Sequence, residues 1–243
     1  MAACSTRRAP MLEIDGLTAR YGRAQILNGV SLTLGRNEVV ALLGRNGAGK
    51  STTMKSVMGL VRQTGGSIRL DGTNILGRAS HLICRAGIGY VPEDRRIFGE
   101  LTVEENLEVG RRPAREGAPH WSADHLFQLF PNLAERRQNL GKQLSGGEQQ
   151  MLSIARTLMG NPALVLLDEP SEGIAPVIVE QMANVISELK REGLSVLLSE
   201  QNLHFAREVS DRAYIIEKGT MRYEGDFADL DARPEVSAQY LAV

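Results

Sequence analysis

The densest chemistry in the chain lies in Gly44-Arg45-Asn46-Gly47-Ala48-Gly49-Lys50-Ser51-Thr52, which satisfies the pattern G-x-x-x-x-G-K-[ST] of a phosphate-binding loop. Each residue type answers a need of a polyphosphate. Gly44, Gly47 and Gly49 let backbone N–H groups turn inward around an anion, and a helix starting here adds its positive end. Lys50 supplies the counter-charge for β- and γ-phosphate oxygens, and the Ser51 hydroxyl can ligate magnesium. Asn46, Ala48 and Thr52 complete the expected nucleotide contacts.

A second group is Leu164-Val165-Leu166-Leu167-Asp168-Glu169, an apolar run that ends in two carboxylates. If the run is a buried strand, both acids sit at its tip. There Asp168 can hold magnesium, directly or through water, and Glu169 can orient or deprotonate the water that attacks the γ-phosphate. A third group, Leu144-Ser145-Gly146-Gly147-Glu148-Gln149-Gln150, stands at the start of a helical pattern. Its serine and glycines offer an anion a hydroxyl, free N–H groups and a positive dipole.

Such groups need elements to aim them, and the hydrophobic pattern supplies these. Residues 39–43 read as a strand entering the glycine loop, and Met54, Val57 and Met58 as the face of a helix stopped by Gly59. Residues 30–34 are a further strand candidate. Leu12, Ile14 and Leu17 begin a strand-like pattern, preceded by residues 1–10, which read as a disordered tail. The pattern predicts a helical lobe over roughly residues 93–160, inserted into a domain of residues 11–243. Leu126, Leu129 and Phe130 mark one helical face there, and Met151, Ile154, Ala155 and Leu158 another. A strand at residues 164–167, a helix bearing Ile178, Met182, Val185, Ile186 and Leu189, and a strand at residues 195–199 follow. This alternation predicts an α/β fold, a mostly parallel sheet covered by helices.

Composition narrows the functions open to such a fold. At 243 residues the chain has an ordinary globular balance of 42% hydrophobic and 23% charged residues. Its 28 Lys+Arg against 29 Asp+Glu give no field that would attract nucleic acid or an anionic membrane. No apolar run approaches the ~20 residues of a membrane-spanning helix. Cys4 and Cys84 match no metal or redox spacing, so a cytoplasmic setting is expected. The histidines at 81, 120, 125 and 204 show no metal-ligand spacing either, though His204 would face a phosphate in a shifted register.

The heptad from Leu144 to Gln150, together with the other two groups, resembles the signature of ABC transporter ATPases, and the resemblance runs from Met11 onward. It implies a P-loop NTPase fold with a mostly parallel core, an N-terminal antiparallel β region and an inserted helical lobe. It also implies ATP and Mg2+ as ligands, with Lys50, Glu169 and Gln201 catalytic. Tyr21 matches the residue that stacks on adenine. In the family, Ser145, Gly146, Gly147 and Glu148 close over ATP held by an opposite subunit, so a second ABC ATPase subunit is an expected partner. A mate that is similar but different is favoured over a second copy. Integral membrane permease subunits are the other partners, and they would hold the chain on the inner face of the cell membrane without its touching the solute.

Departures from the family pattern are informative. Glu93 stands where most relatives carry a glutamine that senses magnesium, and it is a candidate metal ligand. Gln201 replaces a switch histidine, and Ala175 an inter-subunit aspartate. The segments Tyr90-Val91-Pro92-Glu93-Asp94-Arg95-Arg96-Ile97-Phe98, Leu101-Thr102-Val103-Glu104-Glu105-Asn106-Leu107 and Ser171-Glu172-Gly173-Ile174-Ala175-Pro176 resemble the second ATPase subunit of branched-chain amino acid importers. A urea or short-amide importer is the alternative, ahead of a non-transport ABC ATPase. Residues 93–98 match the place where the family receives a permease helix, with Ile97 and Phe98 as exposed anchors.

Overall fold

The computed structural model describes residues 10–241, so the predicted tail lies, apart from Pro10, outside the described residues. The chain begins as an antiparallel ribbon, in which β1 (Leu12–Tyr21) pairs with β2 (Ala24–Leu34) on one side and β4 (Arg62–Leu70) on the other. The short β5 (Thr73–Asn74) completes this four-stranded sheet. Leu12, Ile14, Leu17 and Ala19 of β1 are buried; the step from Ile14 to Leu17 is a bulge at Gly16, whose φ of 57° an ordinary residue rarely adopts. The candidate strand at residues 30–34 is the buried end of the longer β2.

The second sheet has six strands. Five run parallel, four of them being β3 (Val39–Leu43), β6 (Ile88–Val91), β7 (Leu164–Asp168) and β8 (Ser195–Glu200). β9 (Arg212–Glu217) is parallel to β3, and β10 (Thr220–Gly225) turns back antiparallel on β9, giving the order β10-β9-β3-β8-β7-β6. Every residue of β3, β7 and β8 is buried, as expected of strands covered on both faces. Alternate side chains feed opposite layers. Leu164 and Leu166 join the core shared with the antiparallel sheet, whereas Val165 and Leu167 face the long helices.

The helices are α1 (Lys50–Val57), α2 (Ser80–Ala86), α3 (Val103–Gly110), α4 (Ala123–Leu129), α5 (Pro131–Ala134), α6 (Gly146–Leu158), α7 (Pro176–Arg191), α8 (Leu203–Val209), α9 (Phe227–Asp231) and α10 (Pro234–Tyr240). Between β6 and β7 the chain leaves the sheet and forms α3 to α6, the inserted helical lobe of the expected fold. Thr102 and Glu105 close a capping box on α3, and Ser145 and Glu148 do the same on α6. α7 buries Met182, Val185, Ile186 and Leu189, the stripe that its sequence spacing predicts.

Candidate functional site

Because β3, β8 and β7 are parallel neighbours, the residues that follow β3, end β7 and follow β8 converge on one edge of the sheet. The glycine loop leaves β3 there and enters α1 at Lys50. Gly44 is required by close approach, since a Cβ at that position would lie 2.4 Å from the carbonyl oxygen of Ile216. Gly49 is required by its φ of 115°.

Lys50 is almost fully buried. Its Nζ donates to the carbonyls of Gly44 at 2.7 Å and Arg45 at 3.1 Å, and it pairs with Glu169 Oε1 at 2.9 Å. Glu169 itself has φ 48°, a left-handed backbone uncommon for a residue with a side chain, and its N–H donates to the carbonyl oxygen of Ser199 at 3.1 Å. Burial, the strongest influence on the Glu169 carboxyl, would raise its pKa. Hydrogen bonds from Glu172, Lys50 and Gln201, with the charge of Lys50, more than offset this and hold it below the usual glutamate range. Glu172 takes the opposite course, pushed up to about 7 by its hydrogen bond to Glu169 and then by burial.

Asp168 accepts three hydroxyl hydrogen bonds. Ser51 Oγ and Ser199 Oγ donate to its Oδ1 at 2.9 and 2.6 Å, and Tyr90 OH donates to its Oδ2 at 3.0 Å. Burial first, and then Asp168, push the Tyr90 hydroxyl well up, so it remains a donor. Ser51 and Asp168 therefore present hard oxygens side by side, a donor set that fits a magnesium ion that keeps most of its waters and phosphate ligands. Among the described residues no three His, Cys, Asp or Glu side chains cluster as a metal cage, which accords with so sparse a set.

Gln201 Nε2 donates to Glu169 Oε2 at 3.0 Å and to Asn46 Oδ1 at 2.8 Å. His204 is exposed on α8 and lines a separate cleft with Phe205, Arg207 and Glu208. The geometry thus puts Gln201, not His204, beside the carboxylate. A cleft of about 290 Å³ is lined by Ile26, Asn46, Gly47, Gly49, Lys50, Ser51, Thr52, Glu93 and Glu169; Asp168 and Gln201 adjoin it through their hydrogen bonds to Ser51 and to Asn46 and Glu169.

Other predicted residues lie outside that cleft. Tyr21 is half exposed at the end of β1. Ser145, Gly146, Gly147 and Glu148 open α6. There Ser145 Oγ accepts from Glu148 N at 3.3 Å, and Glu148 Oε1 pairs with Arg136 at 2.7 Å. The expectation for Ile97 and Phe98 is corrected in part. Phe98 is 47% exposed, whereas Ile97 packs against the helical core, the two neighbouring side chains of this irregular loop taking different surroundings. Sequence reasoning missed Tyr90, Ser199 and Glu172 as site residues. Tyr90 and Glu172 lay in segments read only for their resemblance, and nothing local marks a hydroxyl that meets Asp168 across a sheet.

A family profile described as ABC transporter matches residues 27–172. Over 231 residues the chain is 43% identical to the high-affinity branched-chain amino acid transport ATP-binding protein BraG of Pseudomonas aeruginosa, covering 95% of this chain and 99% of the relative. Over 234 residues it is 39% identical to the lipopolysaccharide export system ATP-binding protein LptB of Haemophilus influenzae, covering 95% and 97%. A solved ATP-binding subunit of an ABC transporter aligns with a TM-score of 0.78 at 29% identity, over 93% of each chain. An ATP-binding cassette in its ADP conformation shares the fold with a TM-score of 0.80 at 24% identity, covering 95% of this chain and 98% of the other.

Proposed function

We propose, from the premise that this chain belongs to the ABC transporter family and is the ATPase subunit of a transporter, that it drives import of branched-chain amino acids. The 43% identity to BraG over nearly the whole length of both chains carries this reading. The 39% identity to LptB over a similar span supports an export system as the second reading.

In the proposed chemistry, Lys50 exchanges its pairing with Glu169 for β- and γ-phosphate oxygens when ATP enters the cleft, while the amides of the glycine loop bind the β-phosphate. Ser51 and Asp168 would hold Mg2+, with Glu93, which lines the cleft with Ser51, as a further candidate ligand; the ion would supply charge neutralisation across the phosphates. Glu169, freed from Lys50, accepts the proton of the attacking water. Gln201 has no proton to exchange at neutral pH, so it donates an amide hydrogen bond to the γ-phosphate and positions the water. Tyr21 stacks on adenine from the end of β1. Ser145, Gly146, Gly147 and Glu148 act on the nucleotide of a second subunit, a different but similar chain in preference to a second copy. Permease helices dock against residues 93–98. That contact would hold the chain at the cytoplasmic face of the membrane; no helix among the described residues is long and apolar enough to cross one.

Two measurements test this. Lys50→Ala and Asp168→Asn are each expected to abolish steady-state ATP hydrolysis, and unchanged turnover in either would remove the assigned roles. Uptake of labelled leucine by cells lacking the chain should fail and return with the parental gene. Restored lipopolysaccharide export with unaltered leucine uptake would favour the second reading.

A further inference from the structure

One buried carboxylate stands outside the machinery described above. Glu200, the last residue of β8, is 2% exposed. A carboxylate so placed persists only where donors surround it. Its donors are backbone amides from two separate loops. Ser171 N–H donates to Oε1 at 3.0 Å, and the N–H groups of Gln201 and Asn202 donate to Oε2, each at 3.1 Å. Ser171 lies just past Glu169, in the loop that leads to Ala175 and α7. Gln201 and Asn202 begin the segment that enters α8, where Asn202 Oδ1 caps the helix by accepting from Phe205 N at 3.1 Å.

We propose that Glu200 is a positioning residue for hydrolysis, which fixes the backbone at Gln201 so that its amide reaches Glu169, and ties the loop after Glu169 to the same point. The proposal rests on the reading of Gln201 given above. Gln201 is exposed and has three side-chain torsions, so its contacts with Glu169 and Asn46 need a backbone held from below. A carboxylate suits this task because it accepts on both oxygens and offers no N–H of its own. A neutral amide of the same shape would aim its NH2 at one set of donors and leave an N–H unpaired. Ser171 and Gln201 stand on either side of Glu169, so one anchor holds both flanks of the carboxylate that meets the water.

Glu200→Gln in the full chain tests this with little change of volume. Its kcat for ATP hydrolysis is expected to fall about 10²-fold, the scale of a small misplacement near the reacting atoms. KM for ATP should change less than about twofold, because the contacts assigned to the glycine loop, Lys50 and Tyr21 are untouched and only the one from Gln201 is displaced. In a Gln201→Ala background the same substitution should cost well under the roughly 10²-fold it costs alone, since most of its effect runs through Gln201 and only the tie to Ser171 remains to be lost. A parental kcat in Glu200→Gln, or a full additive loss in the Gln201→Ala background, overturns the proposal. So does a rise in KM and a fall in melting temperature along with the loss of kcat, the mark of a merely structural role. A parental kcat in Gln201→Ala alone would instead remove the reading on which the proposal rests. Should Glu200→Gln not fold, hydrogen exchange of the unaltered chain decides. The amides of Ser171, Gln201 and Asn202 are expected to be protected, and exchange at free-turn rates overturns the proposal.

Discussion

Lys50 and Glu169 face each other at 2.9 Å with almost no exposure of either side chain. The pairing occupies the two groups to which the proposed hydrolysis gives roles, so on that reading a nucleotide acts on both when its phosphate takes Lys50. Removing one partner of a buried pair strands the other charge, so an isosteric amide, whose oxygen still accepts from Lys50, disturbs the site less than alanine would. Glu169→Gln should keep ATP binding, slow hydrolysis severely and accumulate a dimer with unhydrolysed ATP, seen by gel filtration and nucleotide analysis. Loss of one preorganised contact costs roughly 10²–10³ in turnover, so Gln201→Ala should fall by that factor in single-turnover assays. Gln201→His should retain activity, because an imidazole can make the same donation. His204→Ala should hydrolyse at the parental rate, as expected of a side chain exposed over a different cleft. Parental hydrolysis in Gln201→Ala together with loss in His204→Ala would reverse the assignment.

Between β6 and α3 the chain forms an element with no regular structure but many anchors. Arg95 and Arg96 have φ 59° and 49°, adjacent left-handed residues, each costing about 1–3 kcal/mol unless held by surroundings. The surroundings do hold them. Ser153 Oγ donates to the Arg95 carbonyl at 2.6 Å and Arg156 Nη2 to the Arg96 carbonyl at 2.6 Å, both from α6. Asn106 of α3 brackets Phe98, accepting from its N–H and donating to its carbonyl, each at 3.0 Å. The Phe98 ring is thereby presented outward beneath the Arg156 guanidinium, 4.9 Å from the ring centre. Its exposure fits a ring available to an apolar partner rather than one spent on the core. Phe98→Ala should therefore keep basal hydrolysis and lose permease-stimulated hydrolysis in reconstituted vesicles. Equal loss of both would assign Phe98 to the core instead.

At the scale of the whole molecule, two sets of nucleotide-directed residues do not meet. The cleft at the glycine loop contains Lys50 and Glu169 but not Ser145, Gly146 or Gly147, which open α6 in the helical lobe. On the reading proposed above, a single chain carries two half-sites, and a second subunit supplies the missing half. Mixing a Ser145→Arg chain with a Lys50→Ala chain should form one intact site per mixed pair, with hydrolysis recovered above that of either variant alone. No recovery at any mixing ratio would rule out the arrangement in trans.

The sequence by itself determined the parts whose physics is local. Gly47 and Gly49 are dictated by positive φ, and the runs at 39–43 and 164–168 by burial on both faces. The stripe of α7 and the serine cap of α6 follow from helical spacing and unpaired N–H groups. Only the tertiary structure decided which side chains meet. Tyr90 reaches Asp168 across 78 residues of chain and Ser199 reaches it across 31, because β6 and β8 flank β7 in an order unlike their order in sequence. The same holds for the outward Phe98 beside the inward Ile97, and for Glu200 between two loops. Each depends on strand order and loop direction, which the packing of distant segments sets and no spacing along the chain encodes.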